Sequence, residues 1–175
     1  MKTLYIHGLD SYPKPEKLEI LKKHHLDPVA LHLNYRETLG IYETLKDAAI
    51  HKDVKFIIGS SVGGYLAFLL SNDLGLPCLL FNPAMDTKDH LFYSVMPEIK
   101  KSTCNYRFVV LGEKDKTVDP QFTRTTFENL EKEGFENRVI TCEWLGHQID
   151  LTTFEGMLNW ALGSLKVRGC PNIPK

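Results

Sequence analysis

The chain has 175 residues, which suits one ordinary domain that buries most of its unfolded surface. Hydrophobic residues make up 43% and charged residues 25%, a composition typical of soluble globular proteins. Lys and Arg number 21 against 22 Asp and Glu, and no basic stripe interleaved with aromatics occurs, so we expect no nucleic-acid partner.

Short apolar runs alternate with longer helical patterns from the first residues onward. This alternation is typical of βαβ units that close a parallel sheet, and the near-continuous apolar runs predict strands covered by helices on both faces. The predicted strands are residues 3–6, 29–33, 54–58, 78–81, 108–111 and 139–142. The predicted helices are residues 16–24, 38–51, 62–73, 120–133 and 151–165. We therefore predict a single domain over residues 1–165.

Three stretches lie outside the alternation. The apolar patch at residues 1–8 is too short for a membrane span or an export signal, and the four cysteines lack a zinc-binding spacing. We therefore expect a cytoplasmic protein without a metal or a cofactor. Residues 84–103 hold scattered apolar side chains between two strands, which predicts a small lid. Residues 166–175 contain glycine and prolines without apolar periodicity, which predicts a flexible tail.

A G-x-S-x-G motif occupies residues 59–63, between a predicted strand and a predicted helix. This motif is typical of a sharp turn that exposes a nucleophilic serine, here Ser61, while the N–H of Val62 stabilises an oxyanion. Ser60 is a weaker candidate, because centring the motif on it would put Ile58 and Val62 where glycines are needed. A turn that merely closes a βα connection is the alternative interpretation.

An acid and a base follow the serine in the order expected of an α/β-hydrolase. Asp115 comes after the fifth predicted strand and His147 after the sixth, so both reach the edge of the sheet that Ser61 occupies. His147 would take the proton of Ser61, and Asp115 would orient the imidazole. Asp119 and Glu113 are rivals, but Asp119 precedes Pro120 and is better explained as a helix N-cap.

The loop after the first strand begins with His7 and Gly8 and can supply the second oxyanion donor, the N–H of Leu9. We expect His7 to brace this loop rather than to act as the base. An apolar acyl pocket is predicted from four side chains, on the hypothesis that this loop faces the lid. These are Tyr12, Met85, Phe92 and Tyr93.

These motifs resemble the YqiA-like family of small bacterial esterases. The likeness rests on His7-Gly8, on residues 59–65, on Asn82-Pro83-Ala84, on Asp115 and on Gly146-His147, and it spans nearly the whole chain. The resemblance implies an α/β-hydrolase core and esterase chemistry, with the strand-one loop as oxyanion loop and with the serine, aspartate and histidine as the triad.

The sequence thus predicts a three-layer α/β/α sandwich, a compact α/β-hydrolase core with about six mostly parallel strands and a small lid. The predicted activity is cleavage of carboxylic ester or thioester bonds in a small-molecule substrate through Ser61, His147 and Asp115, with an acyl-enzyme intermediate. Transfer to another acceptor, peptide hydrolysis, and ligand binding without turnover are the alternatives.

Overall fold

The computed structural model describes residues 1–86 and 106–170. Within them a single sheet contains six parallel strands in the order β2-β1-β3-β4-β5-β6. The strands are β1 (Lys2–Ile6), β2 (Asp27–Ala30), β3 (Phe56–Ser60), β4 (Cys78–Phe81), β5 (Arg107–Gly112) and β6 (Asn137–Cys142). The helices are α1 (Pro15–Lys23), α2 (Ile41–His51), α3 (Val62–Leu74), α4 (Pro120–Lys132) and α5 (Leu151–Val167).

Two apolar clusters, one on each face of the sheet, make the three layers. Side chains of α2, α3 and α4, such as Leu45, Leu66 and Phe127, pack on one face. Side chains of α1 and α5, such as Leu21 and Phe154, pack on the other. Strands covered on both faces cannot show polar residues to water, which explains why their sequences are nearly continuous in apolar residues. The predicted sandwich is confirmed.

All six predicted strands form, but β3 begins and ends two residues later than predicted, and the prediction for β2 is wrong at both ends. It runs over Asp27–Ala30 instead of residues 29–33, so His32 lies outside the strand. The cause is His7, whose Nε2 accepts a hydrogen bond from the N–H of Leu33 at 3.0 Å and draws that segment out of the sheet. The expectation of burial on both faces also fails at the two edge strands, since β2 has no buried residue and β6 has only one, Cys142.

The helices form where predicted, with small differences at their ends. The second begins at Ile41 instead of Thr38, because Gly40 takes a left-handed conformation, φ +66°, immediately before it. Asp119 and Asp150 cap α4 and α5 as expected, accepting from the N–H groups of Gln121 and Thr153. Helix α5 continues to Val167, two residues into the predicted tail.

Because every strand runs in the same direction, the carboxyl ends of all six meet at one edge of the sheet. The loops that carry Leu9, Ser61, Asn82, Asp115 and His147 leave the sheet at this edge. Ligands of open parallel sheets bind at that edge. Among the helices of the described ranges, none is both long and apolar enough to cross a membrane.

Candidate active site

Ser61 lies on a strained turn between β3 and α3. Its backbone has φ +57° and ψ −125°, a region that costs a non-glycine residue about 1–3 kcal/mol and persists only where its surroundings enforce it. The N–H of Ser61 donates to the carbonyl of Phe81 at 3.0 Å, and its carbonyl accepts from the N–H of Ala84 at 3.1 Å. These bonds to the end of β4 hold the turn.

The two motif glycines stand where backbones come too close for any side chain. A Cβ on Gly59 would lie 2.2 Å from the carbonyl oxygen of Gly63 and 2.6 Å from the Cβ of Ala67. A Cβ on Gly63 would lie 2.2 Å from the carbonyl oxygen of His7. Strand, helix and the loop after β1 therefore meet with no spare room, which explains why the motif centres on Ser61 and not on Ser60.

Asp115 and His147 are joined by a hydrogen bond. His147 Nδ1 lies 2.8 Å from Asp115 Oδ2, and the carboxylate side chain is 1% exposed. The other oxygen, Oδ1, accepts from the N–H groups of Thr117 at 2.8 Å and Val118 at 3.0 Å. Three donors therefore fix the carboxylate, and an ionised Asp115 requires the proton on Nδ1, which leaves Nε2 able to accept one.

Ser61 and His147 line the same cleft, together with Gly8 and Leu9 from the loop after β1. Gly8 is so near the serine that a Cβ on it would lie 3.2 Å from the Cβ of Ser61. In the described part of the chain no hydrogen bond joins Ser61 Oγ to the ring, and such contacts commonly tighten only when substrate is bound. Val62 starts α3, so its N–H has no acceptor inside the helix.

His7 braces the loop after β1, as we expected from its position. It is 1% exposed, and its Nδ1 lies 2.7 Å from the carbonyl oxygen of Gly8, while Nε2 accepts from the N–H of Leu33. Burial lowers the pKa of His7 below its ordinary value, so the ring is neutral at pH 7 and has a proton only on Nδ1. Both ring nitrogens are used in the brace.

Asn82 joins two loops of the candidate site, a role that we did not predict, although Asn82-Pro83-Ala84 is part of the family resemblance. Its side-chain Nδ2 donates to the carbonyl of Gly146 at 2.9 Å, and its Oδ1 accepts from the N–H of Gly112 at 2.7 Å. It is 2% exposed and has φ +42°, a conformation that asparagine tolerates better than most residues. One buried amide thus ties the end of β5 to the turn that carries His147. The signal available in the sequence was an Asn-Pro pair directly after a strand.

Replacement of Asn82 by alanine should lower kcat for an ester substrate by about 10- to 100-fold, because a catalytic group displaced by about 1 Å loses this much. Asn129→Ala, on the outer face of α4, is the matched control. A kcat equal to that of the parent, in a folded Asn82→Ala protein, would show that the tie has no such effect.

Two of the four predicted pocket residues, Tyr12 and Met85, lie in the described part of the chain. Tyr12 lines the cleft, whereas Met85 packs against the core cluster around α3. Phe92 and Tyr93, like the predicted lid from Thr87 onward, fall outside the described residues. Glu113, the third candidate for the acid, is exposed. Residues 1–86 and 106–170 contain no group of three or more His, Cys, Asp or Glu that could hold a metal ion.

Several solved structures of hydrolases have the same fold as this chain. The Bacillus cereus carboxylesterase aligns with a TM-score of 0.65 and 15% identity over 91% of this chain and 86% of its own. The Paleococcus ferrophilus monoacylglycerol lipase gives 0.70 and 12%, over 94% of each chain. The Staphylococcus aureus fluorophosphonate-binding serine hydrolase F gives 0.65 and 12%, over 91% of this chain and 82% of its own. The fold is that of an α/β-hydrolase.

The family follows from the sequence itself. A family model described as "Uncharacterised protein family (UPF0227)" matches residues 2–119, and the chain belongs to this family. The match confirms the resemblance to YqiA-like proteins. It includes the loop after β1, the serine turn and Asp115, and it ends before His147. No curated protein matches the chain.

Proposed function

We propose that this protein is a serine hydrolase that cleaves the carboxylic ester or thioester bond of a small acyl substrate. The observation that carries the proposal is the pairing of a serine on a strained turn with an Asp115-bound imidazole on the same cleft. A serine hydroxyl is a poor nucleophile until a neighbouring imidazole takes its proton. The turn at Thr117 and Val118 uses only Oδ1 of Asp115, so the pairing of Oδ2 with the imidazole is not explained by that turn.

The reaction has two halves. Ser61 Oγ attacks the acyl carbon while His147 Nε2 takes the hydroxyl proton, and the N–H groups of Leu9 and Val62 receive the oxyanion. His147 then gives the proton to the departing alkoxide or thiolate, which leaves the acyl group on Ser61. A water molecule, deprotonated by His147, attacks this acyl-enzyme, and His147 returns the proton to Ser61 Oγ as the acid is released. Asp115 stays ionised throughout and stabilises the imidazolium.

Several observations favour hydrolysis over ligand binding alone. Glycine would adopt the backbone conformation of Ser61 with less strain, so the turn alone does not explain a serine at this position. Solved relatives of the fold include a carboxylesterase, a monoacylglycerol lipase and a fluorophosphonate-binding serine hydrolase. Transfer of the acyl group to an acceptor other than water, or attack on a peptide, would use the same residues.

A fluorophosphonate probe tests the proposal with a matched pair of neighbouring serines. We expect the parent to be labelled, labelling to be lost in Ser61→Ala, and labelling to persist in Ser60→Ala, because only the serine at the strained turn has an activated hydroxyl. Circular dichroism should confirm that both variants are folded. Labelling of Ser61→Ala at the rate of the parent would exclude Ser61 as the nucleophile.

A further inference from the structure

Two lysines from the start of α1 line the candidate active-site cleft. Lys14 and Lys17 lie on the same cleft as Ser61 and His147. The described residues that line it include no Asp or Glu, so the fixed charges facing the cleft are positive. Ser11, Tyr12 and Gln148 add neutral side chains that can donate hydrogen bonds. Neither lysine is needed by the mechanism proposed above.

Lys17 is unusual among lysines because it is buried. Its residue is 6% exposed, and its Nζ lies 5.1 Å from the centre of the Phe154 ring, a weak cation–π contact. In the described part of the chain the ammonium makes no hydrogen bond and no ion pair. Lysines are almost never buried without a partner, because taking an ammonium from water is costly. Burial accordingly lowers the pKa of Lys17 to about 8.

The nearby carboxylate that favours the charged form of Lys17 has another task. Asp150 caps α5, with Oδ1 accepting from the Thr153 N–H at 2.8 Å and Oδ2 from the Thr153 hydroxyl at 2.7 Å. Lys14 lies close enough to disfavour the charge on Lys17 further. The cleft is therefore a place where a bound anion would gain more than a neutral group, since it would supply the missing partner.

We propose that Lys17, assisted by Lys14, binds an anionic group of the substrate, so that the preferred substrate is a small ester bearing a carboxylate or phosphate near the scissile bond. The proposal rests on the proposed function and names its substrate class. The anion would accept hydrogen bonds from Nζ of Lys17 while the acyl carbon reaches Ser61 Oγ. The pair would thus orient the substrate as well as select it.

Three 4-nitrophenyl esters with acyl chains of equal length test this inference. One chain ends in a carboxylate, one in a phosphonate and one in the neutral methyl ester of the carboxylic acid. We expect the parent to favour a charged ester, and the anionic-to-neutral ratio of kcat/KM to fall by about 10- to 100-fold in Lys17→Met, the size expected for loss of a charge-assisted hydrogen bond. The larger of the two anionic ratios identifies the carboxylate or the phosphate type of anion.

Control variants distinguish the effect of the Lys17 charge from the effect of overall charge and from loss of folding. Lys132→Met removes one positive charge from the exposed end of α4 and should keep the ratio of the parent. Lys17→Arg keeps the charge and should retain part of the preference. An unchanged ratio in Lys17→Met, measured in a protein that still reacts with a fluorophosphonate, would overturn the anion site alone. Absence of labelling in the parent would instead overturn the proposed function.

The pH dependence of the same ratio gives a second readout. The titratable groups around Lys17 are Lys14 immediately before α1, Tyr5 on β1, His7 and Tyr12 in the loop after β1, and His147 and Asp150 after β6. Burial raises the pKa of Tyr5 to about 12, so this phenol stays neutral, and the Lys17→Met variant is the reference for the remaining groups. An anion prefers protonated Lys17, so the ratio for the carboxylate ester, whose own charge is constant in this range, should fall as pH rises through about 8 in the parent and change less in Lys17→Met. A ratio independent of pH in the parent would contradict the proposal.

Discussion

Replacement of His147 by alanine should lower kcat for an ester substrate by about 10⁴- to 10⁶-fold, because the nucleophile then has no base and the leaving group no acid. The bond from Nδ1 to Asp115 is lost with the ring, but the loop should keep its position, since Asn82 holds the backbone of this turn. Stopped assays of 4-nitrophenyl ester hydrolysis, with enzyme at high concentration, can measure a kcat lowered by this factor.

Two further variants make the His147 result specific. His51→Ala removes a ring from the exposed end of α2 and should leave kcat unchanged. Ser61→Ala combined with His147→Ala should be no slower than either single variant, because groups that act as one unit are not additive. A His147→Ala protein that retained more than about a tenth of the parent's kcat would exclude this ring as the base.

Replacement of Gly63 by alanine should destabilise the protein by more than about 3 kcal/mol, or prevent folding. The added Cβ would lie 2.2 Å from the carbonyl oxygen of His7 and 2.5 Å from that of Ile6, and no rotation of a methyl group relieves a clash with backbone. Helix α3 would have to move away from β1, taking the Ser61 turn with it. Urea denaturation followed by circular dichroism measures the loss.

A glycine in another helix is the control for this substitution. Gly163 lies exposed in α5, and a Cβ built on it meets nothing within 4 Å. Alanine is favoured over glycine inside a helix by about 0.5–1 kcal/mol, so Gly163→Ala should raise the free energy of unfolding slightly. If Gly63→Ala and Gly163→Ala unfolded at the same urea concentration, the close approach at the serine turn would not exist.

Much of the fold could be predicted because the strands and helices of βαβ units have recognisable local sequence patterns. Apolar runs indicate strands with two covered faces, and the Asp119-Pro120 pair indicates the start of α4 without information from the rest of the chain. The errors arise where a residue distant in sequence determines the local structure. Residues 31–33 read as strand, but the His7 ring takes the N–H of Leu33 away from the ladder.

The residues of the candidate site also differ in whether local sequence or distant contacts reveal them. Ser61, Asp115 and His147 could be proposed from the sequence because each follows a strand and their order is informative. Asn82 and Lys17 could not, because their importance depends on contacts made across the fold. The amide of Asn82 reaches Gly146, 64 positions away, and the burial of Lys17 depends on how α1 meets α5. The Asn-Pro pair after β4 marks the position of Asn82 but not its partners, and no local pattern marks Lys17.

The nucleophilic role of Ser61 is tested most directly by locating the covalent intermediate. The protein, mixed briefly with an ester substrate and quenched in acid, is digested and mapped by mass spectrometry. We expect a single acylated peptide with the acyl group on the Ser61 hydroxyl, which disappears in Ser61→Ala and accumulates when deacylation is slow. An acyl group on Ser60 or on another side chain, or turnover of the ester by Ser61→Ala at the parent's rate, would contradict it.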